Sequence, residues 1–371
     1  MTDIDIFLFY STERQPIPMN VIKNILKTIA AGVVAVGILS IIFSFYYLQP
    51  AHIDNVHGNT DYVWISNARW LKMTEGISWG RFDADGYNNP EVVENPDIMI
   101  LGSSHTEATN VVQGKEFASL LRDKLNGEYT VYNMGISGHN FLKVCQYLPQ
   151  NLERYSTVPK AVVIETDTVT FSAAEIDTML QGKIAKSPSY STGVIAMSQK
   201  LPFFSICYNQ VQGGLIDLLM PDKEKILGIF RTDSVFPPLN TFAASTPEMS
   251  EDEAQKQAYE KLFAYLGGLQ QQYGTQIIIV HHPITHTFSD EGVTFLNEDI
   301  KPLFSQFCSE NSICFVDTYN GFCDLYSNEH KLPHGFVTGR TGFGHINADG
   351  HAVIADELYS AIVQLGKEGR L

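Results

Sequence analysis

Cysteine and positive charge are both scarce in this chain, and each shortage removes a class of function. Only 5 of the 371 residues are cysteine, at positions 145, 207, 308, 314 and 323. None forms a C-x-x-C pair, so metal binding through thiolates has little support, and an odd number of thiols cannot all bridge within one chain. A bridge among Cys308, Cys314 and Cys323 and a set of buried free thiols fit the spacing equally. Lys and Arg together number 25 against 41 Asp and Glu, a formal net charge of -16. Nucleic-acid binding is not expected, because it draws on clustered basic side chains that neutralise phosphates. The Gly-Lys-Ser/Thr end of a P-loop and the spaced glycines of a dinucleotide site are absent from residues 102–110. A glycine-serine turn before a helix is then the sole and weak sign of phosphate handling. No cofactor is expected.

What is present begins with one long apolar run. Thr28 to Tyr47 carries no charged side chain, and about 20 helical residues cross a bilayer core. Residues 28–48 read as a transmembrane anchor. The bulky end Phe45-Tyr46-Tyr47-Leu48-Gln49-Pro50 is unlike a signal-peptide cleavage site, and the run lacks the polar face of a soluble core helix. Lys23 and Lys27 precede it and Tyr46 and Tyr47 close it. By the positive-inside rule residues 1–27 are cytoplasmic, and the chain is a single-pass protein of the cell membrane with its remainder extracytoplasmic. Met19 is an alternative start.

Residues 49–95, with Trp64, Trp70, Trp79 and the turn-prone run Asp83 to Pro90, read as a stalk and a lead-in laid on the domain. Over 96–371 strand and helix patterns alternate: strands at 97–101, 129–133, 160–165, 276–280 and 313–316, helices near 114–126, 140–154, 250–270, 295–308 and 350–365. Alternation of this kind predicts an α/β fold, a three-layer α/β/α domain around a five-stranded, mainly parallel, flavodoxin-like sheet. Residues 172–245, punctuated by Pro188, Pro202, Pro221, Pro237 and Pro238, interrupt the alternation and read as an insertion, either a substrate-shaping lid or padding.

Ile98-Met99-Ile100-Leu101 stops at Gly102-Ser103-Ser104-His105, and Gly344-His345-Ile346-Asn347 precedes the last helix. In a parallel sheet both loops open at the carboxyl edge, where such folds keep their sites. A serine hydroxyl needs a base to take its proton and donors for the oxyanion it creates. Ser104 is the candidate nucleophile, His345 the base, and Gly138 in Asn133-Met134-Gly135-Ile136-Ser137-Gly138 the candidate second oxyanion donor beside the Ser104 N–H. His281 and His282 end a strand on the same edge; with His105 they are candidates for the pocket wall, and with His286 they show no ligand spacing for zinc. His351 reads as structural.

Over roughly residues 83 to 366, excluding the insertion, the chain resembles the SGNH/GDSL hydrolase family. Gly102-Ser103-Ser104 stands where that family has Gly-Asp-Ser, and Gly138 matches its second-block glycine. Glu165-Thr166-Asp167-Thr168-Val169 replaces the third-block Gly-x-Asn-Asp, and Gly342 stands where an Asp three positions before His345 belongs. Asp317, at the end of the fifth strand, is the first substitute for the acid that orients the histidine; Asp167 and a bare Ser–His dyad are the alternatives. The resemblance implies acyl chemistry through an acyl-serine intermediate. With the anchor, it implies an extracytoplasmic esterase or O-acyltransferase for an acylated, acetyl-bearing envelope glycan or other ester, working beside a membrane-bound acyl-transfer partner. The missing Asn and Asp keep open a catalytically silent glycan-binding or scaffold protein.

Overall fold

The structure, a computed structural model, describes residues 18–44, 52–54, 62–72, 75–185, 239–240, 253–289, 292–336 and 341–371. Most of the expected insertion, and with it the lid reading, lies outside these residues. The first helix, α1 (Met19–Ser44), is the one helix among the described residues long and apolar enough to cross a membrane, over Met19–Ile42. It starts earlier than residue 28 because Val21, Ile22, Ile25 and Leu26 carry an apolar helical pattern past Lys23 and Lys27. The expected end at 48 lies outside the described residues.

Five strands form the central sheet: β1 (Ile98–Leu101), β2 (Val131–Asn133), β3 (Ala161–Thr166), β4 (Gln276–His281) and β5 (Cys314–Asp317). All pair in parallel, in the order β5-β4-β3-β1-β2. Alternate side chains serve opposite faces, as a two-residue period requires. Met99, Leu101, Val162, Ile164, Ile277 and Ile279 pack with α4 (Phe141–Leu152), α5 (Ala173–Leu180), α6 (Glu253–Tyr273) and α7 (Lys301–Glu310). Ile98, Ile100, Val163, Ile278 and Val280 pack with α3 (Phe117–Leu125), α8 (Tyr319–Glu329) and α9 (Ala348–Lys367). Burial on both faces is why these strands are continuously apolar.

Two departures from the sequence expectation have local causes. The helix expected from 295 starts at Lys301, with a proline in its first turn, where a missing N–H costs nothing. The preceding Val293, Thr294 and Phe295 instead form a strand, Gly292–Phe295, hairpinned to Thr285–Ser289. Helix α8 was not expected, because its Asn, Gly and Ser content masks a short apolar stripe; Phe322 and Tyr326 supply it, one turn apart and buried. Among the described residues Cys145, Cys308, Cys314 and Cys323 are free thiols.

The lead-in is strapped to the domain. Strands Arg69–Lys72 and Ser78–Arg81 pair antiparallel, and Trp64, Trp70 and Phe82 bury together, Trp64 stacked on Phe82 with centroids 5.0 Å apart. Asp83 accepts hydrogen bonds from the Tyr132 hydroxyl at 2.8 Å and Asn89 Nδ2 at 3.0 Å, and Asp85 pairs with Arg154 at 2.8 Å.

Candidate active site

The strand order reverses between β1 and β3, and a crevice opens there at the carboxyl edge. Leaving β1, the chain turns at Ser103, whose hydroxyl caps the four-residue helix α2 (Ser104–Glu107) by accepting from His105 N at 3.1 Å. The turn is anchored from beneath by Glu165 at the end of β3. Its Oε2 accepts from Ser103 N at 2.8 Å, Ser103 Oγ at 2.9 Å and Thr106 Oγ1 at 2.9 Å, while Oε1 faces His282 Nε2 at 2.8 Å. Burial alone would push the Glu165 carboxyl up; the His282 and Ser103 hydrogen bonds and the nearby imidazoles outweigh it and hold it far below the usual range. The residue replacing the family's Asp is thus a hydroxyl that donates to a buried carboxylate.

Asn347 caps α9 by accepting from Asp349 N and Gly350 N, and this fixes the loop that carries His345. His345 Nε2 lies 3.0 Å from Ser104 Oγ. Its Nδ1 lies 2.7 Å from Glu75 Oε2, and its backbone N–H donates to Glu75 Oε1 at 2.9 Å. An ionised carboxylate only accepts, so Glu75 selects the tautomer with its proton on Nδ1 and leaves Nε2 bare to accept from the serine. Burial raises Glu75, but the hydrogen bonds from His345 and the positive charge of Lys72 bring its carboxyl below its ordinary value. Gly344 makes the approach feasible: its φ is +90°, and a Cβ there would stand 2.4 Å from Glu75 Oε1.

Asp317, the acid expected on His345, is elsewhere. It sits 3.2 Å from His281 Nδ1 and 2.7 Å from Lys301 Nζ, because β5 lies at the far edge of the sheet from β1. Glu298 Oε2 lies 3.4 Å from the other ring nitrogen, His281 Nε2. Burial works against a charge on His281, yet the two carboxylates raise its affinity for a proton. Glu75 was missed because it stands in the lead-in, 270 positions from His345, with no motif around it; its one local signal is the Gly76 that follows. Gly342, at the family's acid position, packs against Phe288 instead.

A cavity of about 220 Å³ opens beside Ser104, lined by Ser104, His105, Gly138, Phe141 and Asp167 among others. His281 and His282 are fully buried behind this wall rather than on it, a correction to their expected place, because the β4 end faces Asp317, Glu298 and Glu165. His105 does line it. Its ring packs 5.2 Å from His345 and 4.8 Å from His282, and its Nδ1 accepts from Ile346 N at 3.3 Å. Burial, then the neighbouring imidazoles, push its pKa well down, so it packs as a neutral ring.

Gly138 has φ +84°, and among the described residues neither its N–H nor that of Ser104 has an acceptor. The lead-in braces this loop: the Tyr62 hydroxyl donates to Ser137 O at 2.5 Å. Glu107 accepts from Trp64 Nε1 at 2.6 Å and from the Ser137 hydroxyl. A carboxylate-held imidazole with a bare ring nitrogen and two free amides around one hydroxyl form the equipment of nucleophilic acyl transfer. Among the described residues no group of three His, Cys, Asp or Glu side chains is placed to hold a metal ion.

No family model matches the chain, and no curated protein matches it in sequence. Several solved structures are similar to it. The acetyl xylan esterase AlAXEase is 14% identical, with 71% of this chain and 99% of that chain covered at a TM-score of 0.35. A catalytic mutant of Axe2, an acetylxylan esterase from Geobacillus stearothermophilus, is 12% identical over 73% of this chain and 95% of that chain, TM-score 0.36. A putative lipolytic protein of the G-D-S-L family from Desulfitobacterium hafniense is 9% identical over 71% and 98%, TM-score 0.33. At these identities and TM-scores the likeness bears on neither activity nor substrate.

Proposed function

We propose that this protein is a serine esterase or O-acyltransferase of the SGNH/GDSL type, held to the cell membrane by α1, that takes short acyl groups, acetyl foremost, from an extracytoplasmic glycan. The observation that carries the reading is the relay Ser104–His345–Glu75, with contacts of 3.0 and 2.7 Å. Ser104 Oγ attacks the ester carbonyl carbon, its proton passes to His345 Nε2, and the carbonyl π pair becomes an oxyanion facing the N–H groups of Ser104 and Gly138. When that pair returns, the bond to the sugar oxygen breaks and the imidazolium protonates the departing alkoxide. Water then gives hydrolysis, or a second sugar hydroxyl gives transfer, by the same steps in reverse.

A cavity of about 220 Å³ is below the usual range for drug-sized ligands, which favours a small acyl group over a lipid chain. Glu75 takes the part for which neither Gly342 nor Asp317 is placed, which removes one of the two grounds for a silent scaffold. The test is the full-length protein in detergent micelles with an aryl acetate and a serine-reactive phosphonate. Turnover and a covalent adduct on Ser104, both lost in Ser104→Ala, are expected; absence of both in the parent protein would leave the glycan-binding scaffold as the better account.

A further inference from the structure

We propose that the outward face of the lead-in hairpin, strands Arg69–Lys72 and Ser78–Arg81, is a docking surface for the bilayer that holds α1, and that it takes anionic phospholipid there. This rests on the membrane-anchor part of the reading above. Strand pairing decides what the face carries. Arg69 stands opposite Arg81, Trp70 opposite Gly80 and Leu71 opposite Trp79. Trp70 is buried, and a Cβ on Gly80 would stand 2.5 Å from its ring, so the middle pair points into the domain. By the two-residue period the pairs on either side of it, Arg69–Arg81 and Leu71–Trp79, point away.

That face is apolar and basic at once. Ile65, Ile77 and Trp79 are 40%, 56% and 54% exposed, and among the described residues they are three of the six large hydrophobic side chains exposed outside α1. Such clustering marks a surface that meets something other than water. The chain carries a net charge of -16, yet here two exposed arginines face each other, and like charges directly opposite on neighbouring strands oppose pairing. Among the described residues no carboxylate pairs with either. Arg81 Nε donates to Asn67 O at 3.1 Å, which fixes its stem beside the Ile65 turn and leaves its terminal amino groups open. Gln113 donates from its backbone N–H to Trp79 O at 3.1 Å and from Nε2 to Arg81 O at 2.7 Å, and so brings the exposed Lys115 to the same edge. An indole between guanidinium groups, with aliphatic side chains around it, suits the headgroup level of a bilayer, where the ring sits in the interface and the cations pair with phosphate.

The length of the connecting chain selects lipid over a free partner as the occupant. Helix α1 ends at Ser44, and the backbone of His52 pairs with that of Trp64. The eight residue steps between Ser44 and His52 span at most about 30 Å. Trp64 in turn stacks on Phe82, the residue after Arg81, at 5.0 Å. A face tied this closely to the end of a membrane-spanning helix meets the bilayer as an intramolecular event, at an effective concentration that a free glycan or protein does not reach. Glu75 stands between the two strands and holds His345, so docking here would also set the Ser104 site at the membrane surface.

The experiment places the full-length protein in phosphatidylcholine vesicles, with and without phosphatidylglycerol and with and without bromine on the acyl chains, and reads tryptophan emission. Of the three tryptophans, Trp64 and Trp70 are buried, so Trp79 is the one a quencher in the lipid can reach. In brominated vesicles with phosphatidylglycerol the parent is expected to lose about one third of its emission, the share of one tryptophan in three. Added salt, which screens exposed charge, is expected to restore much of it. Trp79→Phe is expected to show no quenching, and the double variant Arg69→Gln with Arg81→Gln to lose most of it. In each variant an unshifted emission maximum from Trp64 and Trp70 in unbrominated lipid reports that the hairpin is still folded. A parent that floats with the vesicles and is not quenched overturns the proposal and leaves the anchor standing. Quenching that needs neither phosphatidylglycerol nor the two arginines overturns the assignment to anionic lipid. Emission that lipid leaves unchanged and an acetylated xylo-oligosaccharide shifts gives the face to the glycan and overturns the proposal as well. A protein that does not float with the vesicles overturns the anchor and the proposal together.

Discussion

Glu75–His345 and Glu165–His282 are built from the same two groups at nearly the same separation, 2.7 and 2.8 Å, with His105 packed between their rings. Their settings differ. The first pair is about one-third exposed, at 32% and 29% of its side-chain surface, and the second is sealed at 0% and 0%. His345 turns its other nitrogen to Ser104, whereas His282 Nδ1 is buried with no partner among the described residues. A proton that must come and go each cycle needs a partner and some contact with solvent, which only the first pair offers. The sealed pair is suited to holding the turn that carries Ser104 in place, since changing its charge would strand a buried ion.

The comparison breaks first at Glu75. Glu75→Gln presents an amide donor to Nδ1, favours the wrong tautomer, and is expected to lower kcat by about 10³-fold or more while Ser104 stays in place; an unchanged kcat on an aryl acetate would mean that the dyad alone suffices. At the sealed pair the loss is of stability. Glu165→Ala leaves Ser103, Thr106 and His282 facing a buried void and is expected to cost about 3–5 kcal/mol in denaturant unfolding. Because the folded pKa of Glu165 is depressed, its contribution is complete above its unfolded value of about 4.3 and drains away as pH falls below that through the folded value. The Glu165→Ala protein is therefore expected to show a flatter acid limb of stability than its parent.

Gly344→Ala tests how closely Glu75 must approach. A methyl 2.4 Å from Glu75 Oε1 at φ +90° has to push the carboxylate off or the loop aside. We expect kcat to fall about 10- to 100-fold, with about 1 kcal/mol or more of stability lost. Smallest is Asp317→Ala, which removes the partner of His281 and Lys301 but touches nothing at Ser104. Its kcat is expected to stay within about threefold and its stability to drop by about 1 kcal/mol; a collapse of activity would return Asp317 to the site.

The sheet was legible because both its faces are covered: β1, β3 and β4 read as unbroken apolar runs, and each run ends at the edge where its loop matters. That Ser104 and His345 meet, at 3.0 Å, was legible for the same reason, one lying just beyond a strand and the other just before a helix. The histidines were harder. Sequence adjacency put His281 and His282 on the pocket wall, yet His281 ends β4 and His282 follows it, and the alternation of the strand sends consecutive side chains to opposite faces. Hence His281 meets Glu298 and Asp317, and His282 meets Glu165. Asp317 failed for a topological reason, since β5 is the strand farthest from β1 on its side of the sheet.

By itself, then, the sequence determined the parallel three-layer fold, the apolar helix at the start and the serine and histidine that face each other. These follow from periodicity and from where loops open on a parallel sheet, properties that act over a few residues. Only the tertiary structure decided which acid holds the histidine and what lies behind Ser104. Glu75 reaches His345 because the lead-in folds across the loop before α9, and Glu165 reaches Ser103 because β3 runs beside β1. Contacts between residues so distant along the chain leave no spacing for a sequence to display.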